Sequence, residues 1–128
     1  MARNCLLIGL LGVALCACAD DRGAQRSAAM IEVEVLGFDG CPNTPVMQER
    51  VAEAVLALGE GYRVVEVDQE ALEESDARRG YPTPTVLVNG TDLFGMPVPD
   101  VAAMGCRVYP GGLPTAAEIG LRLAEWDR

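Results

Sequence analysis

Alternating apolar and polar residues near position 31 predict the first strand of the folded part of the chain. Every second residue from 31 to 35 is apolar, and the residues between them are glutamates. After a turn-rich segment, apolar residues recur every three or four positions and predict a helix: Met47, Val51, Val55 and Leu58. We expect Asn43 or Thr44 to cap this helix and Gly59 or Gly61 to end it.

A second strand and a second helix are expected next. Three valines within residues 63–67 predict the strand. Asp68 is then expected to cap a short polar helix that extends to about Arg78, because aspartate is a favoured residue at helix starts. A third strand is predicted from Thr85 to Val88.

The end of the chain carries a hairpin signal and a helix signal. Asn89-Gly90 is a strong hairpin signal and predicts a fourth strand near 91–94. A capping box between Thr115 and Glu118 opens the last helix. Its apolar face is expected to be buried and consists of Ala116, Ile119, Leu123 and Trp126.

These elements give the order βαβαββα and an α/β fold class. A right-handed crossover makes the first two strands parallel, and the hairpin adds two more strands. The expected architecture is a four-stranded mixed sheet flanked by helices. The chain of 128 residues, half of them apolar, is long enough for one such domain, which we assign to residues 30–128.

Charge and composition exclude several classes of function. The formal charge is −9 and all ten basic residues are arginines, so most of the surface is expected to repel nucleic acid. The sequence has no histidine, which excludes serine-histidine and cysteine-histidine catalysis. No cofactor and no metal site are indicated by the residue pattern.

The first 29 residues resemble a leader and a tether. Residues 1–17 carry an early arginine and a short apolar run that ends in small residues, as in a signal peptide. The segment Leu15-Cys16-Ala17-Cys18 resembles a bacterial lipobox, which implies lipidation of Cys18 as the first mature residue. With residues 18–29 as a flexible tether, the protein would be a membrane-anchored lipoprotein on the extracytoplasmic side. Translation from Met30 is the alternative and would make the protein cytoplasmic.

Cys41 and Thr44 lie at the junction of the first strand and the first helix. This position and the Cys-x-x-Thr pattern resemble the redox motif of thioredoxin-like proteins. Helix amides and the helix dipole favour a thiolate there, so Cys41 is the expected nucleophile and should be half-exposed. Thr83-Pro84 resembles the cis-proline loop of the same family, which implies a cis bond and a substrate contact at Thr83.

A wider likeness extends from about Met30 to Trp126. Val35-Leu-Gly-Phe-Asp-Gly-Cys-Pro-Asn43, the stretch from Pro84 to Phe94, and the later Cys106-Arg-Val-Tyr109 resemble small bacterial thioredoxin-family proteins. Some members of that group carry selenocysteine near this motif, and some have been labelled as related to organomercurial lyases. The likeness implies a site with a soft nucleophile but no particular substrate.

Thr44 replaces the second cysteine of the family motif, so it can donate a hydrogen bond to the Cys41 thiolate but cannot resolve a mixed disulfide. Three outcomes stay open: resolution by an external thiol, resolution by Cys106, or loss of redox activity. Cys106 lies in an irregular segment, residues 95–113, that could fold back over the first helix. It could also be a buried thiol or form a structural disulfide with Cys41.

The preferred hypothesis is a thiol-dependent redox protein in which Cys41 attacks a disulfide, a sulfenic acid or a peroxide. Its partner would be a thiol or disulfide substrate, either a protein or a small molecule. One alternative is a protein that binds mercury or another soft metal through Cys41 and Cys106 without turnover. The other is an inactive interaction module. Asp39 and Arg107 are interpreted as surface charges.

Overall fold

The chain forms its first strand from the alternating segment that begins at residue 31. The computed structural model describes residues 29–102 and 105–126. Its elements, in chain order, are strand β1 (Ile31–Gly37), helix α1 (Asn43–Leu58), strands β2 (Tyr62–Asp68), β3 (Thr85–Val88) and β4 (Thr91–Asp92), and helix α2 (Ala116–Trp126). The predicted leader, Cys18 and residues 19–28 of the tether lie outside the described residues.

The four strands form one mixed sheet in the order β2-β1-β3-β4. β1 is parallel to β2, whereas β3 is antiparallel to both β1 and β4. The predicted α/β class and four-stranded mixed sheet are therefore confirmed, with α1 and α2 as its two helices.

The hairpin between β3 and β4 follows the sequence signal. Asn89 and Gly90 have positive φ angles of 47° and 84°, as a two-residue type I′ turn requires. Asn89 also binds the backbone of Glu32 in β1, with its amide donating at 3.0 Å and its Oδ1 accepting at 3.2 Å. β4 is shorter than predicted, because the backbone amides of Phe94 and Met96 turn to the carboxylate of Asp92.

The helix predicted from Asp68 to Arg78 is wrong. Two short 3-10 turns replace it, at Gln69–Ala71 and Ala77–Gly80. Asp68 does cap the first turn, and Asp76 caps the second. The segment has no apolar stripe at helical spacing, and the buried Gln69 side chain holds it instead by donating to the carbonyl oxygens of Arg78 and Tyr81 at 2.8 and 2.9 Å.

The main core lies between one face of the sheet and the two helices. β1 and β3 each contribute two fully buried valines to it, and α1 and α2 contribute the facing side chains Met47, Val51, Ile119 and Leu123. The opposite face of the sheet carries a smaller cluster around Leu36, Tyr81 and Leu87. β1 and β3 are thus buried on both faces, so the β1–α1 junction and the start of β3 are held by central strands.

The helix ends match the predictions only in part. α1 begins at Asn43 with Pro42 in the cap position and no side-chain cap, so the predicted cap by Asn43 or Thr44 is wrong. Gly59, with φ 92°, ends α1 as predicted. No helix in the described ranges is long and apolar enough to cross a membrane.

α2 opens with the predicted capping box. The Thr115 amide donates to Glu118 at 2.7 Å, and the Glu118 amide donates to the Thr115 hydroxyl at 3.2 Å. Trp126, expected in the core, is 38% exposed, because it lies at the last described turn of α2, beyond the buried Leu123.

Candidate functional site

Cys41 lies in the tight connection that leads from β1 into α1. Its backbone amide donates to the carbonyl oxygen of Phe38 at 3.1 Å, and its carbonyl oxygen accepts from the amide of Thr44 at 3.2 Å. Both ends of this connection are fixed, since β1 is a central strand and α1 packs on the sheet. The fold therefore holds Cys41 at the N-terminus of α1.

Cys106 approaches this sulfur from the irregular segment that precedes α2. The two Sγ atoms are 3.5 Å apart, although the residues are 65 positions apart in the chain. The segment is held by a parallel bridge in which the Thr83 amide donates to Gly105 at 2.8 Å and the Arg107 amide donates to Thr83 at 2.7 Å. Residues 41, 83 and 106 are thereby brought together at one place.

The exposure of the two thiols differs from the sequence-based expectation. Cys41 is only 2% exposed, not half-exposed, because its sulfur faces the carbonyl oxygen of Thr83 at 3.6 Å and the sulfur of Cys106. Cys106 is exposed to solvent. The hydrogen bond with Cys41, and then repulsion between two negative sulfurs, raises the pKa of Cys106, so Cys106 tends to keep its proton.

The Thr83-Pro84 peptide bond is cis, as the family resemblance implied. Thr83 is 1% exposed, its hydroxyl donates to Gln69, and both of its backbone groups are bonded to the Gly105–Arg107 segment. The carbonyl oxygen of Pro84 accepts from the Tyr109 hydroxyl at 2.6 Å. The expected substrate contact at Thr83 is therefore occupied by the chain itself.

Thr44 takes a different position from the one expected of it. Its hydroxyl is buried and has no hydrogen-bond partner within the described part of the chain, so the expected bond to Cys41 is not formed there. The side chain packs instead into the space beside Gly37, where even a methyl group on Gly37 would overlap with it. Thr44 therefore lies next to the site without a hydrogen bond to the sulfur.

The sequence analysis missed a buried charged cluster beside Cys106. Arg107, interpreted as a surface charge, donates to both carboxylate oxygens of Asp92 at 2.6 and 3.0 Å and stacks on the Tyr109 ring at 4.4 Å. Burial raises the pKa of Tyr109 to about 12, so its hydroxyl remains a donor. The available signal was the spacing of Arg107 and Tyr109, because residues two apart in an extended segment share a face.

A groove of about 510 Å³ opens on the other side of Cys41, between the β1–α1 connection and the end of β2. Cys41 and Thr44 line it together with three acidic residues, Asp39, Glu66 and Asp68, and no basic residue lines it. Cys106 is not among its lining residues. Cys41 thus borders the groove, whereas Cys106 is exposed to solvent.

The site combines two neighbouring thiols, a proline loop and an acidic groove. Such an arrangement has the chemical means to exchange disulfides, because the two thiols are within reach of each other and Cys106 is open to solvent. Comparisons with protein-family models, curated proteins and solved structures find no match for this chain.

Proposed function

We propose that this chain is a thiol-dependent redox protein with a thioredoxin-like fold and that Cys41 and Cys106 are its redox pair. The observation that carries the proposal is the 3.5 Å separation of their sulfurs. The fold brings these two sulfurs together, although the residues are 65 positions apart in the chain. The sheet order β2-β1-β3-β4, with Cys41 before α1 and Pro84 before β3, is compatible with the thioredoxin-like arrangement.

Disulfide formation and linear metal binding would move the two sulfurs in opposite directions. A disulfide bond is about 2.05 Å long, so the two sulfurs must move closer together to form one. Two thiolates on opposite sides of a metal ion, with bonds of about 2.3 Å, would lie roughly 4.6 Å apart. The pair would have to open to bind a metal in that way.

In the reductive half-reaction, Cys41 is the attacking sulfur. Its thiol loses a proton to solvent, and the thiolate attacks one sulfur of a substrate disulfide from the groove. A Cys41–substrate disulfide forms as the substrate's own sulfur–sulfur bond breaks, and the released thiolate takes up a proton. Cys106 then loses its proton and attacks Cys41 from the opposite side, which releases the second substrate thiol and leaves a Cys41–Cys106 disulfide. The protein is oxidised by two electrons and the substrate disulfide is reduced.

An external thiol, either small or on a protein, completes the cycle at Cys106. The thiolate attacks the exposed Cys106 sulfur, and the Cys41–Cys106 bond breaks as Cys41 leaves and takes up a proton. A second external thiol then resolves the mixed disulfide on Cys106, so that two external thiols are oxidised to one disulfide. The exposure of Cys106 supports attack at this sulfur rather than at Cys41. An attacking thiolate must approach its target sulfur along the axis of the sulfur–sulfur bond that breaks.

The place of action proposed from the sequence is the extracytoplasmic face of a membrane, through a lipid on Cys18. Such compartments permit disulfides to persist, which suits a redox pair of this kind. Mass analysis of the mature amino terminus tests this: a diacylated Cys18 supports it. An unmodified chain beginning at Met30 contradicts it and supports the cytoplasmic alternative.

The function is tested on the full chain with bis(hydroxyethyl) disulfide as substrate and dithiothreitol as reductant. We expect turnover, a Cys41–Cys106 link in peptide maps of the oxidised protein, and loss of both in Cys41→Ser. Cys106→Ser should accumulate the mixed disulfide on Cys41. Asp100→Asn, an exposed substitution outside the pair, should show the same turnover and the same Cys41–Cys106 link as the parent chain.

Two results would overturn the proposal. One is turnover that neither Cys41→Ser nor Cys106→Ser reduces. The other is a pair of thiols that never link and that retain one equivalent of Hg²⁺ or Cu⁺ without any turnover. The second result would instead support a soft-metal binding protein.

A further inference from the structure

Cys41 lines the groove, whereas other parts of the chain cover its sulfur. The backbone of Thr83 is not free to pair with a substrate, because it is already bonded to Gly105 and Arg107. The opposite side of Cys41 is covered by Cys106. Because Cys41 itself lines the groove, a substrate bonded to this residue would meet the groove lining.

The charge of that lining has one sign. Asp39, Glu66 and Asp68 line the groove without any basic residue. Asp39 and Glu66 form no ion pair within the described ranges, whereas other carboxylates of the sheet are paired with arginines: Glu32 with Arg63, Glu34 with Arg78, and Asp92 with Arg107. The groove carboxylates therefore keep their negative charge, whereas arginines neutralise the carboxylates elsewhere in the sheet.

A buried polar atom of a residue that lines the groove also lacks a partner. Thr44 lines the groove, is 8% exposed, and its Oγ1 has no hydrogen-bond partner in the described structure. Buried hydroxyl groups are nearly always bonded, because leaving one unpaired costs about 1–3 kcal/mol. A hydroxyl can accept a hydrogen bond from an ammonium or guanidinium group.

We infer that the groove selects cationic disulfides, that is, substrates with an ammonium or guanidinium group near the reacting sulfur, and disfavours anionic ones. This inference rests on the proposed function and adds the substrate class to it. A cleft lined by one sign of charge raises the local concentration of oppositely charged ligands. Like charges at the same place oppose binding and so give discrimination.

The test compares three disulfides of similar size on the full chain at low salt. Cystamine carries two positive charges, bis(hydroxyethyl) disulfide is neutral, and dithiodipropionate carries two negative charges. We expect kcat/KM to fall in that order, by roughly tenfold from the first to the last. Added salt should narrow the difference, because it screens the exposed carboxylates.

Variants assign the effect to the groove. Asp39→Asn combined with Glu66→Gln should lower kcat/KM for cystamine and raise it for dithiodipropionate, so that the ratio of the two values falls towards one. The matched control is Glu49→Gln combined with Glu53→Gln, which removes two negative charges from exposed positions of α1 outside the groove. This control should leave the order and spread of the three rates as in the parent chain.

The possible failures are distinguishable. If all three disulfides react at equal rates, or if the groove variants change nothing, selection by charge is overturned while the proposed function stands. If the neutral disulfide is not reduced at all by the parent chain, the proposed function is overturned and this inference with it.

Discussion

Arg107 and Asp92 form a buried two-pronged ion pair one residue away from Cys106. The guanidinium side chain is 6% exposed and the carboxylate side chain is fully buried. The same guanidinium group donates to the Thr85 hydroxyl at 3.1 Å, and the backbone amide of Arg107 donates to Thr83. One residue therefore ties the Cys106 segment both to the sheet and to the proline loop.

Removal of either charge should be strongly destabilising. We expect Arg107→Met or Asp92→Asn to lower the free energy of unfolding by about 3 kcal/mol or more, because the remaining partner is left buried and unpaired. Urea denaturation of the reduced protein measures this loss. The matched control is Arg63→Gln, which removes the exposed Arg63–Glu32 pair and should cost less than about 1 kcal/mol. Equal losses in both variants would contradict the structural role of Arg107.

The reactivity of Cys106 should depend on its neighbour. Since contact with Cys41 raises the pKa of Cys106, alkylation of Cys106 should need a higher pH than that of an ordinary thiol. In Cys41→Ala the midpoint should move to lower pH. Cys41→Ser keeps a hydrogen-bonding group but not a second titrating thiol. Its alkylation midpoint should therefore lie between the midpoints of the parent chain and of Cys41→Ala. Peptide-resolved mass spectrometry of the alkylated chain measures each midpoint, and an identical midpoint in all three would be evidence against the contact.

Asp76 should contribute to the loss of stability in acid. Hydrogen bonds from the side chain and the backbone amide of Arg78 lower the pKa of Asp76 to about 2. A carboxyl group whose pKa is lower in the folded state stabilises the fold above its unfolded-state pKa, and this stabilisation is lost as the pH falls through the folded value. Between pH 4 and 2, approximately, the melting temperature should therefore fall less steeply in Asp76→Asn than in the parent chain.

Asn is also a good cap, so the variant should retain the second 3-10 turn. The control for Asp76→Asn is Asp100→Asn, at an exposed position, which should melt in parallel with the parent chain across the same pH range. If the melting temperature of Asp76→Asn also changes with pH in parallel with that of the parent chain, the contact between Asp76 and Arg78 does not form in solution.

Gly37 and Thr44 should be energetically coupled. A Cβ atom on Gly37 would lie 2.8 Å from Thr44 Oγ1 and 3.1 Å from Thr44 Cβ, which is too close for packed atoms. Gly37→Ala should therefore cost about 1–3 kcal/mol. In a Thr44→Ala background the cost should be smaller by at least about 0.5 kcal/mol, because alanine lacks the Oγ1 and Cγ2 atoms that the new Cβ would meet. Urea denaturation of the four proteins measures the coupling, and strictly additive effects would contradict it.

Local signals were sufficient for much of the fold. The alternation in β1, the apolar spacing in α1 and the Asn89-Gly90 turn are each recorded in a few adjacent residues, and the structure forms them accordingly. The segment from Gln69 to Gly80 was mispredicted because its conformation depends on one buried side chain that bonds to residues 9 and 12 positions away. Helix capping residues alone do not make a helix when no apolar face is available to pack.

The candidate site was predictable in its members but not in its geometry. The positions of Cys41 and the Thr83-Pro84 bond follow from local motifs. The burial of Cys41 and the exposure of Cys106 depend on where the segment around residue 106 pairs with Thr83. The Arg107–Asp92 pair, whose partners are 15 residues apart, helps to hold this segment in place. The unpartnered Thr44 hydroxyl likewise results from packing against Gly37, which the motif does not reveal.

The distance along the chain between the two sulfurs links oxidation to resistance against unfolding. A bond between Cys41 and Cys106 would close a loop that spans 65 positions and contains α1, β2, β3 and β4. A cross-link over such a loop restricts the unfolded chain and is worth about 4 kcal/mol in the chain-entropy model. The oxidised molecule should therefore stay folded at temperatures that unfold the reduced one. In the proposed cycle the same domain would thus alternate between a form of higher and a form of lower thermal stability.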